Sequence, residues 1–416
     1  MDIKIFGEST DFIIARVNAD QFVVYSPYSN HVLALNTSGL SSFHRILYYA
    51  RQNKVGKQHN MQLDENELVL LAVMNEYKIL FNNETDWKNA DYSVKYDDYR
   101  VVIPHRAYLH LTQSCNLACD YCYDKANIGR YKELPTDTWK AIISDLSEKH
   151  FDCLVFTGGE CMLRSDIDEL SSYVKQKKMR LHLLTNGTIP LSESILMNAD
   201  RIEISLDSID PEKNAGLRRK SIQYDILKNL LSIPSDYRNK VIIKTVLSVD
   251  NESGVDELIS FTSAQGYADC IITHVQPYSR NEIVYSSKTT HYKKHTHNPD
   301  NIHCCNACFE IIAINSDGFV YPCHSLIKPE FKICNVLDHD WMEHVMHSKE
   351  YDYFKENNVN RTYCKQCNCK FICGGMCKAI SYNLYNTLGM KSDNYCAYAR
   401  KEVRQYLRSI SFDEVS

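Results

Sequence analysis

The cysteines of this chain constrain its fold more than any other feature. Of 17 cysteines in 416 residues, none precedes Cys115, three lie between Cys115 and Cys122, and eleven lie between Cys304 and Cys396. The first residues lack the basic and apolar segments of a secretory signal, so we expect a cytoplasmic protein with reduced thiols. In that compartment, clustered thiols bind metal more often than they form disulfides. The sequence therefore predicts a chain that folds around metal centres.

The composition is that of a folded protein without a strongly basic surface. Hydrophobic residues make up 44% of the chain and charged residues 24%, and the formal net charge is -5. Nucleic-acid-binding proteins usually carry a basic patch, so this balance argues against nucleic acid as a partner. No apolar run reaches the roughly 20 residues of a membrane-spanning helix, so we expect no membrane partner. At roughly 100–200 residues per domain, the length predicts two or three domains.

Residues 1–95 combine short β-patterned runs with helical patterns. The runs DIKIFG, FIIARV, QFVVYS and HVLALN precede a predicted helix from Thr37 and a second one from Asp64 to about Leu80. Strands followed by helices in this order predict a small winged-helix-like module. A polar stretch at residues 82–100 is typical of a linker.

Residues 101–280 have a different pattern, in which six apolar runs alternate with helical segments. The runs are AYLHLTQ, CLVFTGGE, RLHLLTNG, RIEISLDS, KVIIKTVLS and ADCIITHVQ. Such alternation predicts an α/β fold with a parallel sheet. Six units fit a partial (β/α)6 TIM-like barrel better than a closed eightfold one, and polar residues follow the strands where such barrels carry their chemistry.

The motif Cys115-x3-Cys119-x2-Cys122 follows the first barrel strand. Three thiolates can hold three irons of a 4Fe–4S cubane and leave the fourth iron open, whereas a structural zinc site needs four protein ligands. With Tyr121 before the last cysteine, the sequence resembles the radical S-adenosylmethionine (SAM) superfamily. The resemblance implies that SAM binds at the open iron and is cleaved to a 5′-deoxyadenosyl radical.

The resemblance continues at the ends of the following strands. Gly158, Gly159 and Glu160 resemble the family's GGEP motif, which contacts the amino group of the methionine moiety, although Cys161 replaces the proline. In the family, polar groups at the next strand ends contact the ribose and the carboxylate of SAM. The corresponding residues here are Asn186, Ser205, Asp207 and either Arg218 or Arg219.

The C-terminal cysteines resemble the SPASM extension of peptide-modifying members of the superfamily, so residues 300–400 are expected to form a SPASM domain. The resemblance implies two auxiliary 4Fe–4S clusters, and hence three clusters in the chain. The first auxiliary set would be Cys304 or Cys305 with Cys308, Cys323 and Cys377. The second set would be Cys364, Cys367, Cys373 and Cys396. Cys334 and Cys369 fall outside the pattern and are interpreted as ordinary thiols.

Together these resemblances imply a maturase of a ribosomally made precursor peptide. The N-terminal module would bind the peptide's leader by β-augmentation, and an external donor of the flavodoxin or ferredoxin type would supply electrons. The radical would start an intramolecular cross-link, either a thioether or a carbon–carbon or ether bond.

Three other reactions that begin with the same radical are epimerisation, decarboxylation and sulfatase-type side-chain oxidation. His324 argues against the last, because sulfatase-maturing relatives have an aspartate there. A non-catalytic, metal-stabilised peptide-binding module is a further alternative.

Overall fold

The computed structural model describes most of the chain, with gaps. The described residues are 13–16, 21–26, 31–54, 63–76, 104–119, 121–122, 132–210, 218, 223–274, 305–356, 362–364, 367, 369 and 373–409. The predicted strand DIKIFG, the linker, Arg219 and Cys304 lie outside these residues.

The N-terminal module has the predicted order of strands and helices. Its antiparallel sheet consists of β1 (Ile13–Arg16), β2 (Gln21–Ser26) and β3 (His31–Asn36), followed by α1 (Thr37–Lys54) and α2 (Glu65–Glu76). Apolar residues of β2, β3 and both helices share one core, so the helices pack on the sheet. Asp64 caps α2 reciprocally, since its side chain accepts from the Glu67 amide at 2.9 Å and the Glu67 side chain accepts from the Asp64 amide at 3.1 Å.

The six predicted barrel strands are present, parallel and adjacent in chain order. They are β4 (Arg106–Thr112), β5 (Cys153–Gly158), β6 (Arg180–Thr185), β7 (Arg201–Ser205), β8 (Val241–Leu247) and β9 (Asp269–His274). The helices between them are α3 (Thr136–Glu148), α4 (Ile167–Gln176), α5 (Glu193–Asn198), α6 (Gln223–Leu231), α7 (Ser235–Arg238) and α8 (Val255–Ala264). This arrangement confirms the partial-barrel α/β fold.

Side chains alternate between the two faces of the barrel sheet. On β4, Leu109 and Leu111 enter the main hydrophobic core together with Trp139 of α3. The alternate residues Tyr108 and His110 therefore lie on the inner face of the barrel. The core thus fills the layer between strands and helices and leaves the inner face for polar groups.

The cysteine-rich segment extends the barrel sheet, which the sequence analysis did not predict. β10 (Ile311–Ile314) pairs in parallel with β4, and β11 (Val320–Tyr321) pairs antiparallel with β10. The sheet therefore has eight strands in the order β11-β10-β4-β5-β6-β7-β8-β9. The border that the sequence analysis predicts near residue 300 therefore separates two segments whose strands belong to the same sheet.

In the part of the chain that the structure describes, four α-helices follow β11. They are α9 (Trp341–Met346), α10 (Lys349–Glu356), α11 (Lys378–Tyr385) and α12 (Asp393–Ser409). α12 contacts β1 and β2 of the N-terminal module. Among the described residues, no helix combines the length and the apolar character that a bilayer crossing requires.

Trp341 should anchor the C-terminal segment to the barrel. Its side chain is 1% exposed, packs beside Phe151 and donates from Nε1 to Asp145 of α3 at 2.6 Å. We expect Trp341→Ala to lower the free energy of unfolding by about 3–5 kcal/mol. The matched variant Leu337→Ala, at a residue 54% exposed, should change it by less than about 0.5 kcal/mol. Chemical denaturation followed by circular dichroism compares them, and equal midpoints would contradict the anchoring role.

Candidate active site

Two glycines hold the first cysteine loop against the end of β5. The Gly159 amide donates to the Thr112 carbonyl at 2.9 Å, and the Glu160 amide donates to the Ser114 carbonyl at 2.8 Å. A Cβ on Gly159 would lie 2.3 Å from the Ser114 oxygen, and one on Gly158 would lie 2.3 Å from the Thr112 oxygen. Gly158 also has a φ of 130°, which side chains strongly disfavour. Only glycine permits this backbone approach.

The structure brings Cys115, Cys119 and Cys122 close together. The Cys122 amide donates to the Cys119 carbonyl at 3.2 Å, and each thiol lies within electrostatic range of another member of the set. Burial raises the pKa of Cys115 and raises that of Cys119 to about 11. Binding of a metal centre must therefore displace the protons of the Cys115 and Cys119 thiols.

No three histidine, cysteine or acidic side chains converge on a single-ion position in the part of the chain that the structure describes. Ligands of a cubane bind different irons and do not have to converge on one atom. The donor set of three thiols in one loop therefore fits an iron–sulfur cluster better than one bound ion.

Glu160 is a buried carboxylate beside this loop. It is 1% exposed and accepts hydrogen bonds from Thr185 Oγ1 at 2.8 Å and from the Asn186 amide at 2.6 Å. Burial raises the pKa of Glu160, although these hydrogen bonds and one from the Met162 amide oppose the rise. A carboxylate held in this way is oriented to accept a hydrogen bond from a cationic group.

Asn186 links the end of β6 to the cysteine loop. Its Nδ2 donates to Asn116 Oδ1 at 2.9 Å and lies 3.9 Å from the Cys115 sulfur. Asn116 in turn donates to Thr188 at 2.7 Å. Sequence reasoning missed Asn116 and Thr188. Neither residue belongs to a motif, and the two residues that form this hydrogen bond are 72 positions apart in the chain.

Asp207 connects three strand ends behind the cysteines. Its carboxylate accepts from the Tyr121 hydroxyl at 2.5 Å, from Arg218 Nε at 2.8 Å and from the Val246 amide at 3.0 Å. Asn251 Nδ2 donates to the Asp207 carbonyl at 2.9 Å, a contact that sequence reasoning also missed. Asp207 therefore fixes the aromatic residue of the cysteine motif and the arginine at the same time.

Arg218 is the predicted arginine that the structure describes. It is 1% exposed, and its Nη2 has no hydrogen-bond partner among the described residues. Burial lowers the pKa of Arg218, but Asp207, Tyr121 and Cys119 together outweigh burial and the net shift is upward. A buried, charged guanidinium with an unused donor fits the carboxylate of a bound ligand. Ser205 ends β7, two residues before Asp207.

The first auxiliary cysteine set lines a cavity of about 260 Å³. Cys305, Cys323 and Cys377 all border this cavity, and the Cys308 thiol lies within electrostatic range of Cys305 and Cys323. Burial raises the pKa of Cys305 to about 12. A cavity lined by clustered cysteines fits an iron–sulfur cluster, whose protein ligands are cysteine thiolates.

The second auxiliary set is also assembled. Cys364, Cys367, Cys373 and Cys396 lie within electrostatic range of one another. Cys369, which was interpreted as an ordinary thiol, is 4% exposed and lies beside Cys367. The structure thus places five thiols where the predicted pattern names four.

His324 lies on the inner side of β4, where its ring stacks on Tyr108 at a centroid distance of 4.5 Å. Burial lowers the pKa of His324 to about 3. The imidazole is therefore neutral near pH 7.

Two family profiles match the chain. Residues 109–262 match the radical SAM superfamily, and residues 304–369 match an iron–sulfur cluster-binding domain, SPASM. Residues 109–262 therefore belong to the radical SAM superfamily. The first match contains the cysteine loop and Glu160, and the second begins at Cys304. The family match and the donor sets together assign iron–sulfur clusters and SAM to this chain.

The proteins with similar sequences are named for different reactions and pathways. An S-adenosylmethionine-dependent nucleotide dehydratase of Selenomonas ruminantium is 28% identical over 37% of this chain and 60% of its own length. The subtilosin biosynthesis protein AlbA of Bacillus subtilis is 24% identical over 72% of each chain. An AdoMet-dependent heme synthase of Nitratidesulfovibrio vulgaris is 23% identical over 69% of this chain and 90% of its own.

Two solved structures share the fold. Streptococcus suis SuiB bound to its precursor peptide SuiA has a TM-score of 0.58 at 14% identity, covering 93% of this chain and 99% of SuiB. The protein anSMEcpe with bound AdoMet has a TM-score of 0.54 at 16% identity and covers 75% of this chain and 98% of its own. The likeness to SuiB therefore extends over more of this chain.

The close backbone approach at Gly159 gives a test of the cysteine loop. We expect Gly159→Ala to push the loop away from β5 and to lower the iron content after anaerobic reconstitution by about one third, one of the three clusters that the sequence predicts. The control Gly254→Ala should keep its iron, because the added Cβ would lie 3.4 Å from Ser208 Oγ, an ordinary contact. Full iron in Gly159→Ala would contradict the role of this approach.

Proposed function

We propose that this chain is a radical SAM maturase that forms an intramolecular cross-link in a ribosomally made precursor peptide. The observation that carries the proposal is the N-terminal module, a three-stranded sheet with two helices, in front of a radical SAM barrel and a SPASM segment. SuiB, which shares the fold over 93% of this chain, binds a precursor peptide.

The leader of the peptide would bind the N-terminal sheet as an added strand. β2 is the central strand of that sheet, and α12 contacts β1 and β2. β3 is therefore the edge that we assign to the leader, since main-chain donors and acceptors on an edge strand accept a new strand.

The barrel residues would hold the reactive cofactors. Bound there, a reduced 4Fe–4S cluster and SAM supply a 5′-deoxyadenosyl radical. Cys115, Cys119 and Cys122 would ligate the cluster, while Glu160 would accept a hydrogen bond from the ammonium group of SAM. Arg218 would donate its unused Nη2 to the SAM carboxylate, and Asp207 keeps this guanidinium charged and in place. The remaining contacts with SAM would involve Gly158, Gly159, Tyr121, Asn186 and Ser205.

The two auxiliary cysteine sets would hold two further clusters. We assign Cys305 to the first set, because it borders the cavity with Cys323 and Cys377. Closing a cross-link removes two hydrogens from the peptide. The radical takes one as a hydrogen atom, and the second leaves as a proton and an electron. An oxidised cluster held by the cysteines between residues 305 and 396 would accept that electron, and an external flavodoxin- or ferredoxin-type donor would supply the electron that cleaves SAM.

A second candidate is a radical SAM enzyme that acts on a small molecule. The observation in its favour is the likeness to a heme synthase over 90% of that protein's length. The N-terminal module favours the peptide, because a small substrate has no strand to add to a sheet edge.

Cluster content and SAM cleavage test the radical chemistry together. Reconstituted wild-type chain is expected to bind about twelve irons, three cubanes, and to form 5′-deoxyadenosine from SAM under dithionite. The triple variant Cys115/Cys119/Cys122→Ala should keep about eight irons and form no deoxyadenosine. Iron without SAM cleavage in the wild type would leave a metal-stabilised binding module.

A matched pair of cysteine variants tests the auxiliary assignment. Cys305→Ala should lose about four irons, because it removes a ligand beside the cavity. Cys334→Ala should keep all of them, since the Cys334 thiol instead donates to the Trp341 carbonyl at 3.4 Å. Iron analysis and the electronic absorption of each variant give the comparison. Equal iron in the two variants would contradict the assignment of Cys305.

A further inference from the structure

The inner face of the barrel carries cationic residues at the amino ends of its strands. Arg106, Arg180 and Arg201 are the first residues of β4, β6 and β7. In the strand register, Arg106 is aligned through Cys153 with Arg180, and His182 is aligned with Arg201. Leu181, Leu183 and Ile202 enter the core on the opposite face, so the basic residues share the inner face.

These groups surround His182. Burial, followed by Arg106, Arg201 and Arg180, lowers the pKa of His182 to about 4, while Glu203 acts in the opposite direction. His182 is thus a neutral imidazole among guanidinium groups near pH 7. The side chains of Arg201 and Lys244 are each 36% exposed, so this part of the inner face is open to solvent.

The cations differ in what they already bind. Arg201 pairs with Glu203 at 2.7 Å, Lys244 pairs with Glu203 at 3.0 Å, and Arg180 pairs with Asp152 at 2.7 Å. Arg106, by contrast, has no carboxylate partner among the described residues, and its buried Nε has no hydrogen-bond partner there. Its guanidinium lies beside the Cys153 thiol, toward β5 and β6.

We infer that Arg106 and His182 form a subsite for a carboxylate of the substrate. A guanidinium matches the two oxygens of a carboxylate, and the neutral imidazole adds a further hydrogen-bond donor. Because the other cations have carboxylate partners, the subsite offers about one uncompensated positive charge, which suits a carboxylate better than a phosphate dianion. The inference rests on the proposed function, since it names the chemistry of the peptide that enters the barrel.

The position of the subsite sets its distance from Asn186, one of the residues that we assign to SAM. His182 lies on β6 and Asn186 directly follows that strand, so the two residues are four positions apart, about 13 Å at about 3.3 Å per residue. An extended peptide spans this distance with about four residues. The substrate should therefore carry an acidic side chain or its terminal carboxylate about four residues from the residue that loses hydrogen.

The subsite can be tested with trifluoroacetate, a carboxylate that fluorine NMR detects. Titration of the reconstituted chain should give saturable line broadening that acetate reverses. Arg106→Gln should weaken this binding about tenfold, as expected for loss of a charge-assisted hydrogen-bonded pair. The matched variant Arg180→Gln removes the same charge from an exposed ion pair and should change binding by less than about twofold.

Each result decides the inference. Unchanged binding in Arg106→Gln, or an equal loss in Arg180→Gln, would overturn the subsite. If Arg106→Gln fails to fold, Arg106→Lys keeps the charge without the planar fork, and undiminished binding in that variant would also overturn it. Absence of deoxyadenosine from the wild-type chain would instead refute the proposed function, and the trifluoroacetate titration does not depend on SAM cleavage.

Discussion

The contact between the cysteine loop and the end of β5 is the constraint on which the site depends. Two backbone hydrogen bonds join Thr112 and Ser114 to Gly159 and Glu160. They place three thiols beside a buried carboxylate without using any side chain of the loop. In this motif the two glycines allow the cysteine loop to approach the end of β5, and the glutamate places a carboxylate beside the thiols.

The shared sheet extends this constraint to the C-terminal segment. β4 carries the cysteine loop at its end and pairs with β5 on one side and β10 on the other. Cys308 precedes β10 and Cys323 follows β11, so the first auxiliary set is attached to the same strands as the radical site. The α12 helix, which carries Cys396 of the second set, contacts the N-terminal sheet. The elements that carry the predicted cluster ligands thus also join the three parts of the chain.

The sequence predicted the parts that depend on local spacing. The six strands, the Cys115 motif and the GGE motif are each contiguous, and each could be recognised without knowledge of the fold. β10 and β11 were missed because they have only four and two residues and no helix between them. Asn116 and Asn251 were missed because long-range contacts define them. The choice of Cys305 needed the cavity, which distant segments enclose.

The most direct test of peptide modification uses a candidate precursor peptide, to be sought as a short reading frame beside the gene and labelled with deuterium in its core residues. The reconstituted enzyme should turn this peptide into a product that lacks two hydrogens, and deuterium from the labelled core residue should appear in 5′-deoxyadenosine. High-resolution mass spectrometry measures both. A product of unchanged mass would contradict cross-linking and favour epimerisation, and deoxyadenosine without deuterium would contradict hydrogen abstraction from the peptide.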